Sequence, residues 1–399
     1  MKKAIVVGAG FTGLVTAYYL GRKGFQVEVH EASNHVGGLI SSERTPFGLV
    51  ESAANGMIAS DLVEELFRDL NLPLMRPLIK YRKKRFIFRD GPKRWPLTFS
   101  ETLRFLFKFL PKMIFAKGSL KPRADESVAA WGRKNLGLPA VRYLLGPALK
   151  GIYAGDLERM SADSIFGRMF SSAPKAKYGG TVAPSNGMGE LIQSLKNKIE
   201  SQGAVVHYNS CYSVASLEVP TFVCVSAAAA AKVTGKVAPQ LSAQLARIET
   251  LSLISATVFL ESPAQKIQGF GCLIPEGSHI ESLGVLSNTY IFDNRGPGYS
   301  ETYIMGGARS PSLSAKSDQE LLEIIQRDRA KLLGDSGKVI GFKIFRWPNA
   351  LPHFTVEHNT LIRQLELPKN LFLNGNYLDV IGLSKILART NDLVAQIKE

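Results

Sequence analysis

A short apolar run at residues 4–7, set between Lys3 and Gly8, predicts a buried strand. Residues 14–20 then follow helical spacing until Gly24 closes the helix, and Gln26 to His30 alternates as a second strand. The same change of period recurs downstream. Residues 189–201 read as a helix stopped by Gly203, and 204–209 as the strand after it. "FVCVSAAAAAKV" gives a buried strand running into an alanine-rich helix. Near the C-terminus a strand, an Asn374-Gly375-Asn376 turn and a terminal helix are predicted, with Ser384 as N-cap and Lys385 onward helical. "YRKKRFIFRDGPKRWPL" reads as a hairpin turning at Arg89-Asp90-Gly91, and its alternation places Arg85 on one face with Lys83 and Ile87.

One stretch fits neither pattern comfortably. "LRFLFKFLPKMIFAK", residues 103–117, sets four Phe, three Leu, Met113 and Ile114 among basic residues. On a helical wheel Glu101, Arg104, Lys108 and Lys112 fall within about 80°, and apolar side chains cover most of the rest. Pro111 is expected to kink this helix or to start a second one. A basic stripe beside a wide aromatic face predicts a helix lying in a bilayer interface.

Composition narrows the classes. The chain has 399 residues, enough for two or three domains, and 45% hydrophobic with 21% charged residues is ordinary for a protein with a large core. Its three cysteines form no C-x-x-C pair, which favours a reducing compartment over a disulfide scaffold. The N-terminal apolar run is too short for a signal peptide, and no uncharged run of about 18 apolar residues exists. Net charge is +15, concentrated between Arg76 and Arg123, where 15 Lys and Arg face only Asp90 and Glu101. That concentration predicts an anionic partner for one surface. No nucleic-acid recognition motif accompanies it, so a nucleic-acid partner is not expected.

The candidate chemistry starts at Gly8-x-Gly10-x-x-Gly13, at the predicted strand-to-helix turn. There Gly8 permits the turn, Gly10 admits a diphosphate to the backbone, and Gly13 allows close helix–strand packing. The helix N-terminus would face the diphosphate with free N–H groups. Glu31 ends the second strand 23 residues after Gly8, where a carboxylate meets adenosine ribose hydroxyls and repels a 2′-phosphate. Gly37-Gly38 then lets backbone approach the ligand again. Together these residues resemble the extended flavin-binding signature of the amine-oxidase superfamily, although Leu39 replaces the usual basic residue.

Further stretches resemble the oxygen-dependent protoporphyrinogen oxidase family. They are "ADESVAAWGRKNLG", "LKGIYAGDLERMSADSIFGRMF", "GFGCLIPEGSHIESLGVLSNTYIFDNR", "YIMGGAR", "RWPNALPHFTVEH" and "NGNYL". His353-Phe354 and Glu357-His358 stand where Gln-Tyr and Gly-His are commoner, and Ala53-Ala54 where Gly-Pro is usual. The resemblance implies an α/β fold: a Rossmann-type FAD-binding domain, a mixed-sheet substrate domain and a helical membrane-binding insert. It divides the chain into residues 1–60, 185–245 and 355–399 for FAD; 61–97, 166–184 and 246–354 for substrate; and 98–165 for the insert. FAD would be bound non-covalently by Gly8, Gly10, Phe11, Thr12, Gly13, Glu31, Ala32, Gly37, Gly38, Asn55, Gly56, Tyr212, Ser226, Gly375, Asn376 and Ile381. At the last of these, and at Asp379, the family's glycines are replaced. The start of the terminal helix would point at the flavin pyrimidine ring and stabilise negative charge there.

The family oxidises protoporphyrinogen to protoporphyrin, six electrons in three flavin cycles, with oxygen reduced to peroxide. Arg85 matches its propionate-binding arginine, and Ala154 and Gly155 its cavity wall; no side chain is assigned as catalytic. No metal-ligand spacing is visible among the six histidines. The expected partners are a porphyrinogen and an anionic membrane surface, with ferrochelatase and a second copy of the chain as further candidates. The expected location is cytoplasmic, peripheral on the inner face of the cell membrane. Coproporphyrinogen oxidation, amine oxidase or desaturase activity, a flavin-containing porphyrin carrier, and a quinone acceptor stay open.

Overall fold

The structure is a computed structural model and describes residues 2–170, 179–264, 266–293, 295–335, 337–378 and 381–397. A five-stranded sheet orders Val205–His207, Gln26–His30, Lys3–Val7, Thr221–Val223 and Leu371–Leu373, every pair parallel. Parallel strands need both faces covered, and the helix Phe11–Arg22 supplies one cover with Leu14, Val15 and Leu20 fully buried. It begins three residues earlier than its apolar spacing predicts, directly at the glycine turn. The helix Leu383–Ala395 packs beside it, and Lys23 Nζ donates to the carbonyls of Val394, Ala395 and Ile397 at 3.1, 3.1 and 2.9 Å. Those are the orphan acceptors of a helix C-terminus.

A seven-stranded mixed sheet runs Val339–Pro352, Thr250–Leu260, Tyr299–Gly306, Gly284–Leu286, Gly271–Leu273, Arg85–Phe88, Pro92–Lys93. Cys272, Val285, Tyr303 and Met305 share a core cluster with the helix Asp318–Leu333. Register puts Arg85, Ile87, Leu273, Leu286 and Ile304 on the opposite face. There Leu286 joins the core of the nucleotide domain and the other apolar side chains stay half-buried. The hairpin turns as predicted, with Asp90 and Gly91 at φ 55° and 126°. Its first strand begins only at Arg85, so Lys83 lies in the preceding turn rather than on the strand face.

A helical insert has its own small core of Val128, Trp131, Val141, Leu149 and Met160. Its outer helix, Phe99–Phe115, opens on a capping box in which Thr98 and Glu101 satisfy each other's backbone N–H groups. It continues through Pro111 as one helix, so no second helix starts there. No residue of it is buried. Lys108 Nζ donates to Arg133 O at 2.8 Å, and Lys112 Nζ to Asn135 Oδ1 at 2.8 Å, at the end of the helix Val128–Asn135. The lysines therefore turn inward, where helix-terminal carbonyls attract cations. Phe107, Ile114 and Phe115 are left 77%, 67% and 85% exposed. No helix among the described residues is long and apolar enough to cross a membrane.

Candidate active site

Backbone geometry builds the nucleotide cradle. Gly8 sits at φ +98°, and a Cβ there would lie 2.6 Å from the Val225 side chain. A Cβ at Gly13 would lie 1.8 Å from Gly8 O, so only glycine lets helix and turn meet. Gly10 is the opposite case: it is the N-cap of Phe11–Arg22, no side chain caps that helix, and a Cβ would enter open space. A diphosphate fits against that surface, facing the first-turn N–H groups of Phe11 and Thr12. Gly37 N donates to Ala9 O at 2.8 Å, and a Cβ at Gly38 would stand 3.4 Å from Gly10 Cα. The two glycine turns thus form one cradle.

Glu31 closes its edge. One carboxylate oxygen accepts from Ala9 N at 2.7 Å, and the other from Ser33 N and Oγ, both at 2.9 Å. A carboxylate has acceptor capacity beyond these bonds for ribose hydroxyls. Ala32 is exposed beside it. Tyr212 stacks on His30 with ring centroids 4.3 Å apart, and burial together with His207 pulls the His30 pKa down. Ser226 caps the helix Ala227–Thr234, its hydroxyl accepting from Ala229 N at 3.4 Å. Gly56 packs so that a Cβ would be 2.7 Å from Val182 O, and half-buried Asn55 precedes it.

At the chain's far end, the Tyr377 ring covers Gly375, whose carbonyl accepts from Arg389 at 2.7 Å. Asn376 Nδ2 donates to Ala350 O at 3.1 Å, tying this turn to the seven-stranded sheet. Ile381 is half-buried just before the terminal helix, and Asp379 lies outside the described residues. The N-cap is Gly382, not Ser384. Ser384 lies inside the first turn because its hydroxyl has a distant acceptor, Ile58 O, at 2.5 Å. A Cβ at Gly382 would meet open space, so this helix start is a second uncovered N–H surface.

On the substrate side, the Arg85 guanidinium lies over the Phe270 ring at 4.2 Å, and burial holds its pKa below the usual value. Arg85 borders a cavity of about 270 Å³ whose opposite wall includes Gly180 and Thr181. Thr181 pairs with Ile58, the residue that receives Ser384, so this cavity adjoins the segment at Gly56 and the start of the terminal helix. Ala154 and Gly155 are placed elsewhere. Ala154, at φ 52°, ends the helix Gly146–Tyr153 and accepts from Ala308 N at 2.9 Å. At Gly155 the side-chain space is already filled: a Cβ there would lie 2.7 Å from Met160 Sδ and 3.1 Å from the His353 ring. Both residues are buried in the seam between insert and sheet rather than at the Arg85 cavity.

Two constellations were not foreseen. Glu51 and Arg295, 4% and 8% exposed, pair at 2.5 Å. Glu51 also accepts from Ser42 Oγ at 2.5 Å and from Met188 N at 3.1 Å, at the start of the helix Met188–Ser201. The only local signal was an acid ending the apolar strand Gly48–Glu51. Glu28, His30 and His207 bring potential ligand atoms within 4.8 Å of one another, which chain spacing could not show. Their histidine rings stack at 4.7 Å and 17°, an arrangement that does not aim two in-plane lone pairs at one ion.

Fold and cradle define a dinucleotide-binding flavoprotein with a mixed-sheet partner domain. A family profile described as flavin containing amine oxidoreductase matches residues 11–216 and 223–382, and the chain belongs to that family, with FAD as its cofactor. The chloroplastic protoporphyrinogen oxidase of Nicotiana tabacum is 25% identical, aligned over 98% of this chain and 85% of its own. Coproporphyrinogen III oxidase of Bacillus subtilis (strain 168) is 22% identical over 91% and 90%. A crystal structure from Exiguobacterium sp. 255-15, provisionally named protoporphyrinogen oxidase, matches with TM-score 0.80 at 18% identity, covering 99% of this chain and 98% of that one. It supports the fold.

Proposed function

We propose that the protein oxidises protoporphyrinogen IX to protoporphyrin IX, six electrons in three cycles, with oxygen as acceptor and hydrogen peroxide as by-product. The observation that carries this reading is the Arg85 cavity, which adjoins both the Gly56 segment and the uncapped terminal helix. FAD, when bound, supplies the hydride acceptor at N5. The chain's own residues orient and shelter. Arg85 offers a guanidinium fork to a carboxylate, and the half-buried face of Ile87, Leu273 and Ile304 receives an apolar macrocycle. The N–H groups after Gly382 favour negative charge at the end of the flavin they face. The outward aromatic face of Phe99–Phe115 suits peripheral docking on an anionic membrane, where a poorly soluble porphyrin would be received.

The test is anaerobic mixing of flavin-loaded protein with protoporphyrinogen IX, then admission of air. Bleaching of the flavin band followed by porphyrin fluorescence is expected. A flavin that stays oxidised would leave only a carrier role. Faster bleaching by coproporphyrinogen III would move the activity to the tetracarboxylate.

A further inference from the structure

The cavity beside Arg85 holds more positive charge than one carboxylate would use. Arg76, Arg82, Lys83 and Arg85 all line it, and no Asp or Glu does among the described residues. Arg76 is paired with Glu64 at 2.6 Å. Lys80 and Lys84, from the same basic run, turn to the Tyr81 ring at 5.4 and 5.3 Å. Arg82 and Lys83 have neither partner, and among the described residues no carboxylate lies within ion-pair distance of Arg82, Lys83 or Arg85. The backbone fixes this arrangement. Arg82 N donates to Leu78 O at 3.0 Å and Lys84 N to Tyr81 O at 2.8 Å, a turn that carries residues 82 and 83 to the cavity before the strand starts at Arg85. Arg82, Lys83 and Arg85 are exposed, so solvent screens part of their mutual repulsion and an anion that joins them removes the rest.

Position completes the picture. At about 270 Å³ the cavity is at the small end of ligand sites, which run to ~1,000 Å³, and it suits one edge of a larger molecule. Beyond that edge, on the same sheet face as Arg85, lie Ile87, Leu273 and Ile304. Cations are thus collected at one end and apolar side chains occupy the rest.

We infer that the cavity grips two carboxylates on one edge of the substrate, Arg85 holding one and Arg82, with Lys83 beside it, holding the other. This rests on the oxidase reading and names its substrate class: a tetrapyrrole with carboxylates on neighbouring rings and an apolar opposite edge. A tetracarboxylate would press charged arms against the apolar face, where burial of an unpaired charge is unfavourable.

Binding of the non-reducing products separates the possibilities. Flavin-loaded wild type, Arg82→Ala, Arg82→Lys and Arg85→Ala would be titrated by fluorescence quenching with protoporphyrin IX, its monomethyl and dimethyl esters, and coproporphyrin III. Loss of one charge-assisted contact corresponds to about tenfold or more in Kd. Arg82→Ala and Arg85→Ala should each weaken the diacid by about that factor, with Arg82→Lys restoring most of it. The monoester should bind wild type correspondingly more weakly, and the dimethyl ester should be insensitive to either alanine. In turnover, Arg82→Ala should raise KM and leave kcat in place, with flavin content and far-UV circular dichroism unchanged. Wild-type affinity in Arg82→Ala, or equal binding of monoester and diacid, would overturn the second station while leaving Arg85 intact. Tighter binding of coproporphyrin III would overturn the assignment of substrate class. Esters binding like acids throughout, with no bleaching by any porphyrinogen, would instead remove the oxidase reading beneath it.

Discussion

The buried pair between Glu51 and Arg295 is the sharpest point at which stability and cofactor binding meet. Glu51 ends the buried strand Gly48–Glu51 and precedes the segment that carries Asn55 and Gly56. Its carboxylate joins three bodies: its own strand, the start of the helix Met188–Ser201, and the loop of Arg295 that leads into the seven-stranded sheet. Burial pushes its pKa upward, while Arg295, Ser42 and the Met188 N–H pull against that. Glu51→Gln removes the charge and leaves the Arg295 guanidinium, 8% exposed, without a counterion. Arg295 Nη2 already has no hydrogen-bond partner, so the protein has no substitute acceptor in place. Breaking a buried pair at one partner costs about 3–5 kcal/mol, a large share of a typical ~5–15 kcal/mol stability. We expect Glu51→Gln and Arg295→Met each to lower the unfolding free energy read from urea melts by that order and to release flavin early in the transition. The double variant Glu51→Gln/Arg295→Met should recover part of the loss, because it leaves no orphan charge. Far-UV circular dichroism and flavin fluorescence, followed together, give the double-mutant cycle. Single losses under about 1 kcal/mol that simply add in the double variant would refute the reasoning.

Further outcomes are open to direct measurement. Gly10→Val should fold, since open space surrounds the new Cβ, yet purify with at most a tenth of the flavin; wild-type flavin content would contradict the cradle. His358 is buried, donates through Nε2 to Tyr377 O at 2.8 Å, and has its pKa lowered to about 4 from 6.5. The unfolded chain therefore binds an extra proton between those values. Stability should be full above pH 6.5 and fall by about 3 kcal/mol toward pH 4, and His358→Gln should flatten that slope in pH-dependent urea melts. Phe107→Glu or Phe115→Glu should cut co-sedimentation with phosphatidylglycerol vesicles about tenfold or more, given ~1.5–3 kcal/mol for a buried phenylalanine. Undiminished binding would place the docking face elsewhere.

What the sequence disclosed was local. Gly8, Gly10 and Gly13 were readable because a turn that needs positive φ or missing side chains writes itself in glycine at fixed offsets. The hairpin at Asp90-Gly91 was readable for the same reason. Helix capping at the C-terminus was not, since Ser384 is drawn to Ile58 O across 326 positions of chain. A helical wheel located the basic stripe of residues 101–112 but could not say which way it faced. That was decided by the carbonyls ending the helix Val128–Asn135. The pair between Glu51 and Arg295 spans 244 positions, and neither residue's neighbours announce it. Ala154 and Gly155 matched a family pattern, yet close packing against Ala308, Met160 and His353 set their surroundings.

The nucleotide sheet takes its strands from residues 3–7, 26–30, 205–207, 221–223 and 371–373, and Lys23 clasps the end of the last helix. During synthesis the first two strands emerge early but wait for nearly the entire chain before their sheet can close. A chain that stops short of residue 371 keeps the glycine cradle but lacks the edge strand beside Thr221–Val223 and the helix that Lys23 holds. Flavin colour in the purified protein is therefore expected to report that the strand Leu371–Leu373 and the helix Leu383–Ala395 are in place.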